Sequence, residues 1–138
     1  MNHYENLKQK VESNSEVVGV LGLGYVGLPL AVEFALKNVH VLGFEKSAGK
    51  AENVNAGKNY IGDVADSDLG KVVSNGYLKA TTDFSRIKEC DVLLICVPTP
   101  LDIFQKPDMK YIQVSCEDIA KYMKPGTFIA LESTTYPT

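Results

Sequence analysis

The chain has 138 residues, 45% of them apolar and 22% charged, with 14 Lys and Arg against 17 Asp and Glu for a net charge of −3. That length holds one domain with a single buried core, and the composition excludes a disordered or collagen-like chain. It also excludes a nucleic-acid binder working through a basic face, since neither the total nor any run of residues supplies one.

Residues 1–16 read as a polar leader without the apolar stretch of a secretory signal. Tyr4, Leu7, Lys8 and Val11 recur at helical spacing, which predicts a helix lying against the body of the domain. From Glu16 onward, over 17–138, short apolar runs alternate with helical patterns. Val17 to Leu21 (VVGVL) reads as a buried strand bounded at once by glycines. Tyr25 to Lys37 then places Val26, Leu30, Phe34 and Ala35 on one helical face, with Pro29 near the start, where a missing N–H costs little. His40 to Phe44 is a second strand, and Ser47 to Ala56 a helix closed by Gly57.

Asn59 to Asp63 reads as a loop. Asp66 or Ser67 is the expected cap of a helix running to about Ser74 and ended by Asn75-Gly76. Leu78 to Thr82 is a weaker strand. Val92 to Val97 (VLLICV) is the strongest, apolar on both faces and far too short to cross a bilayer. Pro98, Pro100 and Pro107 punctuate the loop that follows. Its residues Leu101 to Lys106, Gln105 among them, read equally well as a ligand contact or a solvated connector. A helix from about Met109 to Met123 ends at Lys124-Pro125-Gly126, and Thr127 to Leu131 is the last strand. The alternation predicts an α/β fold, a doubly wound, mainly parallel sheet with helices on both faces.

Gly22-Leu23-Gly24-Tyr25-Val26-Gly27 matches G-x-G-x-x-G, a weak pattern alone. Here it stands between a buried strand and an amphipathic helix, the context that gives the pattern its physical sense in a Rossmann fold. Gly22 permits the tight turn, Gly24 lets the backbone approach a pyrophosphate, and Gly27 lets helix and strand pack closely. Tyr25 and Val26 then open a helix whose free N–H groups and positive dipole end suit phosphate. A second, independent feature is an acid about 20 residues on, at the end of the second strand, to accept ribose hydroxyls. Glu45 stands there, and an acid also repels the 2′-phosphate of NADP, so NAD is the expected cofactor; Lys46 and Lys50 nearby work against that preference. Gly22 to Gly27, Glu45, Pro98-Thr99-Pro100 and Ser133-Thr134 all fall at carboxyl ends of predicted strands, where such sheets bind ligands.

Together GLGYVGLPLA (22–31), NAGKNYIGDV (55–64), ATTD (80–83), CVPTP (96–100) and PGTFIALESTTYP (125–137) resemble the UDP-glucose/GDP-mannose dehydrogenase family, in the family's own order. The wording looks closest to its bacterial branch acting on UDP-N-acetylhexosamines such as UDP-N-acetylglucosamine. The resemblance implies a cytoplasmic enzyme that oxidises the C6 hydroxyl of a nucleotide sugar to a carboxylate with two NAD, for surface polysaccharide synthesis. In that family the intermediate aldehyde is held on a cysteine. The same resemblance puts Val26 in the pyrophosphate loop, Glu45 at the ribose-binding acid, Lys50 near the adenosine end, and Thr99 and Thr134 on the nicotinamide side.

Glu45 departs from the Asp usual in the family, and the sequence stops before the family's sugar-binding half and catalytic cysteine. The expectation is therefore an NAD-binding part, inactive alone, of a homo-oligomeric enzyme that meets its UDP-sugar through another half. Cys90, Cys96 and Cys116 make an odd count with no zinc spacing, so no disulfide framework and no metal site is expected, and no membrane or nucleic-acid partner. Cys96 sits at a strand end near the proposed nicotinamide, but nothing adjacent in sequence lowers its pKa, and burial in the core is the preferred reading. His3 and His40 are isolated. Two other classes stay open: a stand-alone nucleotide-binding or sensing module, and an S-adenosylmethionine methyltransferase, which shares a glycine loop and a following acid.

Overall fold

A computed structural model of the chain describes residues 2–62, 64–98, 103–105 and 109–132. Five strands, β1 (Val17–Leu21), β2 (His40–Phe44), β3 (Leu78–Thr81), β4 (Val92–Ile95) and β5 (Phe128–Leu131), form one sheet in the order β3-β2-β1-β4-β5. Every pairing is parallel, as the predicted doubly wound fold requires. The helices are α1 (His3–Glu12), α2 (Gly27–Leu36), α3 (Ala48–Asn55), α4 (Asp66–Ser74) and α5 (Lys110–Tyr122). The chain steps from β1 outward to β2 and β3, then returns to the other side of β1 for β4. That reversal opens a crevice at the carboxyl ends of β1 and β4.

Successive residues of a strand point to opposite faces, so a strand covered on both sides must be apolar throughout. In β4, Leu94 joins Val18, Val20, Leu28 and Val32 in a core beneath α2, α3 and α4, while Leu93 and Ile95 join Leu21, Phe44 and Ile119 beneath α5. Gly19 in β1 is small because a side chain there would press on Cys90 Sγ and Leu93 Cδ2, both 2.7 Å from its Cβ position.

The structure corrects the reading in several places. Helix α2 begins at Gly27, not Tyr25, and buries Leu28, Ala31, Val32 and, as expected, Ala35; Leu30 and Phe34 are half-buried at the margin of the same core, and Val26, ahead of the helix, is exposed. The small residues of this stripe let the helix sit close over β1 and β2. The cap of α4 is Ala65, with Asp66 and Asp68 inside the first turn, where their charge meets the positive end of the helix. Strand β4 ends at Ile95, two residues early. A 3-10 helix, Phe84–Glu89, carries the chain from β3 to β4 and has no counterpart in the predicted elements.

The leader forms α1 as expected, but its apolar stripe does not hold it. Tyr4 and Val11 are exposed, and no residue of α1 is buried. The anchor is a charge cluster: Lys10 Nζ and Lys124 Nζ each lie 2.8 Å from Asp91 Oδ1, and Val17 N–H donates to Asp91 Oδ2 at 2.9 Å. Asp91 is buried at the mouth of β4. Burial alone would raise its pKa, but the two ammonium groups and the Val17 N–H hold it below the ordinary carboxylate value. Among the described residues no helix is long and apolar enough to cross a membrane.

Candidate functional site

The crevice is built on the turn between β1 and α2. Gly22 donates its N–H to Phe44 O at 2.8 Å and turns with φ +94°, and a Cβ there would sit 2.8 Å from Cys96 O. Gly27 carries α2 so close to this turn that a Cβ would collide with the Gly22 carbonyl oxygen. Gly24 is different: a Cβ would meet nothing within 4 Å, so its missing side chain leaves the backbone bare toward open space. Leu28 donates to Gly24 O at 3.1 Å, and no acceptor among the described residues takes the N–H of Tyr25, Val26 or Gly27. The turn thus offers unpaired donors at the positive end of a helix beside a glycine that leaves room for a ligand.

Glu45 extends β2, its N–H bonded to Thr81 O at 3.0 Å. Its carboxylate reaches the glycine turn, accepting Leu23 N–H on Oε1 at 3.2 Å and Ser47 N–H on Oε2 at 2.9 Å. Each oxygen keeps lone-pair capacity for a hydroxyl donor. Ser47 caps α3 by accepting Lys50 N–H, which fixes where that helix leaves the crevice.

A cavity of about 670 Å³ opens here, within the range of small-molecule sites. Gly22, Gly24, Tyr25, Val26, Glu45 and Lys50 all line it, so the structure gathers the predicted residues it describes; Gly27 lies behind, in the packing. Tyr25 projects into solvent, 81% exposed. Thr99 and Thr134, with Pro100 and Ser133, lie outside the described residues. A second, more apolar cavity of about 310 Å³ lies between the strand ends and α5, walled by Phe84, Tyr111 and Val114. Gly22, Glu45, Val97 and Pro98 line both, so the two form one cleft across the carboxyl ends of β1, β2 and β4.

Lys46, which the sequence sets against an NAD preference, lines the smaller cavity and not the larger one. Its ammonium pairs with Asp118 at 3.1 Å and lies 4.5 Å from the centre of the Phe84 ring. In the loop beyond, Ile103 and Phe104 are exposed and Gln105 is left-handed, with φ +62°.

Sequence reasoning missed Asn53 and gave no role to Tyr60 and Ile61, which also line the larger cavity. The side chain of Asn59 accepts Ile61 N–H at 2.9 Å and donates to the Val64 carbonyl, which turns the chain sharply at 59–61. That turn brings the Tyr60 hydroxyl to Leu23 O at 2.6 Å. Burial, helped by the charge of Glu45, pushes the Tyr60 pKa up to about 12, so it is a proton donor at neutral pH. An asparagine two residues before a buried isoleucine was the available signal, because such side chains close turns on their own backbone.

Cys96 lines the cavity but is 6% exposed, and burial with the charge of Glu132 pushes its thiol up to about 12. It packs in the core and stays a neutral thiol at neutral pH. Cys90 is fully buried, its thiol likewise raised to about 12 chiefly by burial. His40 is exposed and stacks on Tyr77 with ring centres 4.8 Å apart, and His3 lies beside Gly126, neither near the cleft.

The comparisons with known proteins agree with this geometry. Residues 16–138 match the model of the UDP-glucose/GDP-mannose dehydrogenase family, NAD binding domain. The chain is 37% identical over 120 residues to a UDP-N-acetyl-D-glucosamine 6-dehydrogenase of Pseudomonas aeruginosa, the match covering 87% of this chain and 28% of that protein. It is 38% identical over 124 residues to a UDP-N-acetyl-D-mannosamine dehydrogenase of Yersinia pestis, with the same two coverages, 87% and 28%. The crystal structure of an NDP-N-acetyl-D-galactosaminuronic acid dehydrogenase from Methanosarcina mazei superposes with a TM-score of 0.81 at 35% identity, over 95% of this chain and 30% of that one. The chain thus spans a little over a quarter of the length of its curated relatives. A glycine turn open at Gly24, an acid facing it from β2 and the family match over nearly all the chain lead to one conclusion: the chain belongs to the UDP-glucose/GDP-mannose dehydrogenase family and is an NAD-binding domain of it.

Proposed function

We propose that the chain is the cofactor-holding part of a cytoplasmic nucleotide-sugar 6-dehydrogenase that oxidises the C6 hydroxyl of a UDP-N-acetylhexosamine to a carboxylate, for surface polysaccharide synthesis. The observation that carries the cofactor role is the facing pair of Glu45 and the glycine turn, joined by the Leu23 N–H to Glu45 bond. NAD, when bound, supplies the acceptor for the hydride. The donors of Tyr25, Val26 and Gly27 hold its pyrophosphate, Gly22 and Gly24 give the backbone the room to approach, and Glu45 takes the adenosine ribose hydroxyls. Lys50, which lines the cavity, is assigned to the adenosine end by the family resemblance, and Thr99 and Thr134 are assigned to the nicotinamide by the same resemblance. No group in this chain is assigned to the oxidation itself; the sugar and the catalytic nucleophile fall to a further half. The relatives support the substrate class, being named as dehydrogenases of N-acetylated nucleotide sugars and far longer than this chain, while the placing of the nucleophile and a homo-oligomeric parent rest on the family resemblance. The free thiols Cys90, Cys96 and Cys116 accord with a reducing compartment.

Calorimetric titration of the chain with NAD, NADP and S-adenosylmethionine tests the cofactor role. NAD is expected to bind in preference to NADP. Glu45→Ala removes charged hydrogen bonds and should weaken NAD about tenfold or more while narrowing the gap to NADP. Preference for NADP or S-adenosylmethionine would sink the reading. A second arm, turnover of UDP-N-acetylglucosamine and UDP-N-acetylmannosamine by the longer protein, reads out the sugar; NADH formation with neither would overturn the substrate assignment.

A further inference from the structure

We infer that Tyr60 is a positioning residue for the dinucleotide: its hydroxyl locks the Leu23–Gly24 peptide in the one orientation that lets the glycine turn present N–H groups to a pyrophosphate. The inference deepens the cofactor reading above and rests on it.

Two successive peptides of the turn are pinned by different partners. The Gly22–Leu23 peptide gives its N–H to Glu45 Oε1 at 3.2 Å, and the Leu23–Gly24 peptide gives its carbonyl to the Tyr60 hydroxyl at 2.6 Å. Between them the Leu23 side chain is fully buried, at the place in the sheet where a Cβ on Gly43 would press on it. Gly24, the next residue, has open space where a Cβ would stand and the widest backbone freedom of any residue type, and its own carbonyl, in the following peptide, accepts Leu28 N–H at 3.1 Å. Among the described residues, the hydrogen bond that holds the Leu23–Gly24 peptide itself is the one from Tyr60. In a planar trans peptide the C=O and N–H point opposite ways, so a flip exchanges them. It would put a carbonyl oxygen where an anion requires a donor, at the start of the turn whose dipole and N–H groups make it an anion site. Glu45 cannot prevent this, because its bond is to the preceding peptide.

Tyr60 is built to hold this position. Its ring packs against the core under α2 and α3, and the Asn59 side chain ties the turn on both sides of it. Ile61 and Val64 are buried and root the turn in the same core. Residues 59–61, which have no evident chemistry as a sequence, thereby carry one hydroxyl to the glycine turn.

Tyr60→Phe keeps the ring and removes only the hydroxyl. In the chain the dissociation constants of NAD and ADP-ribose should both rise about fivefold to tenfold, the worth of one hydrogen bond, while adenosine, which has no phosphate, binds as before by ligand-detected NMR. In the ligand-free variant the Gly24 amide resonance should shift while the thermal midpoint falls by only the few degrees that one hydrogen bond is worth, a signature that loss of packing alone does not give. Unchanged affinity for NAD and ADP-ribose, with the unsubstituted chain binding both, overturns the role of Tyr60 and leaves the cofactor reading intact. An equal loss for adenosine also overturns it, since the effect would then be on the whole cleft. Failure of the unsubstituted chain to bind any of the three strikes the cofactor reading itself, and the inference falls with it.

Discussion

Gly24 and Gly27 belong to one motif, yet the structure gives their missing side chains opposite uses. A methyl at Gly27 would drive into the Gly22 carbonyl, at the point where helix meets strand, and backbone cannot step aside cheaply. Gly27→Ala should therefore cost about 3 kcal/mol, read as a fall in the urea midpoint. A methyl at Gly24 meets open space, so Gly24→Ala should leave the midpoint within about 0.5 kcal/mol of the parent while weakening NAD at least tenfold. Equal stability losses in the two variants would contradict this division. The side-chain amide of Asn55 shows the same economy of contacts. It donates to Ala80 O and accepts Ala80 N–H, both at 2.8 Å, closing the open edge of β3 as another strand would. The glycine pattern was legible because its neighbours are local, and Glu45, although 22 residues from Leu23, because a strand–helix–strand unit fixes the spacing from glycine turn to acid. Tyr60 and Asn55 were not, because the backbone groups they bind stand 37 and 25 residues away.

At the scale of the element, α1 depends on Asp91 more than on its own apolar stripe. Two lysines from opposite ends of the described chain converge on this one carboxylate, which also takes the first N–H of β1. Removing its charge leaves both ammonium groups without their buried partner. Asp91→Asn should destabilise the chain by about 2 kcal/mol, a figure held down by the partial exposure of the lysines. Because the folded carboxyl titrates below its ordinary value, this contribution is complete above the unfolded value of about 4 and disappears as pH falls through the folded one. Urea midpoints of parent and variant should thus differ by a constant amount from pH 7 to 5 and draw together as pH falls below about 4; a gap undiminished at the lowest pH at which the parent stays folded would rule out the ionic origin. Periodicity located α1 correctly but assigned the wrong face to its contacts, since helical spacing reports which residues align and not what lies opposite. The same limit explains α2, whose buried stripe follows Leu28 and Ala31 because Gly27 sets the point of closest approach.

At the scale of the whole molecule the sheet is unequal at its two edges. The β3 side is closed by Asn55 and by α3 and α4, while β5 carries Phe128, Ile129 and Leu131, all 40–56% exposed. A parallel sheet normally covers both faces of its strands, and an exposed apolar edge invites pairing. The chain by itself should associate with rising concentration, seen as increasing mass by light scattering, and Phe128→Lys should suppress it. A single mass for the parent at every concentration would remove the basis for this expectation.

The sequence by itself determined the alternation of strands and helices, their parallel doubly wound arrangement, the glycine turn and the acid that faces it. These follow from local physics: two-sided burial demands continuous apolar strands, and a helix start that receives phosphate demands glycine. Tertiary structure alone decided which face α1 and α2 present, where Asp91 gathers its lysines, that Lys46 turns to Asp118, and that Tyr60 reaches the glycine turn. Each of these joins groups far apart in the chain, and a one-dimensional pattern carries no record of a distance that only folding sets.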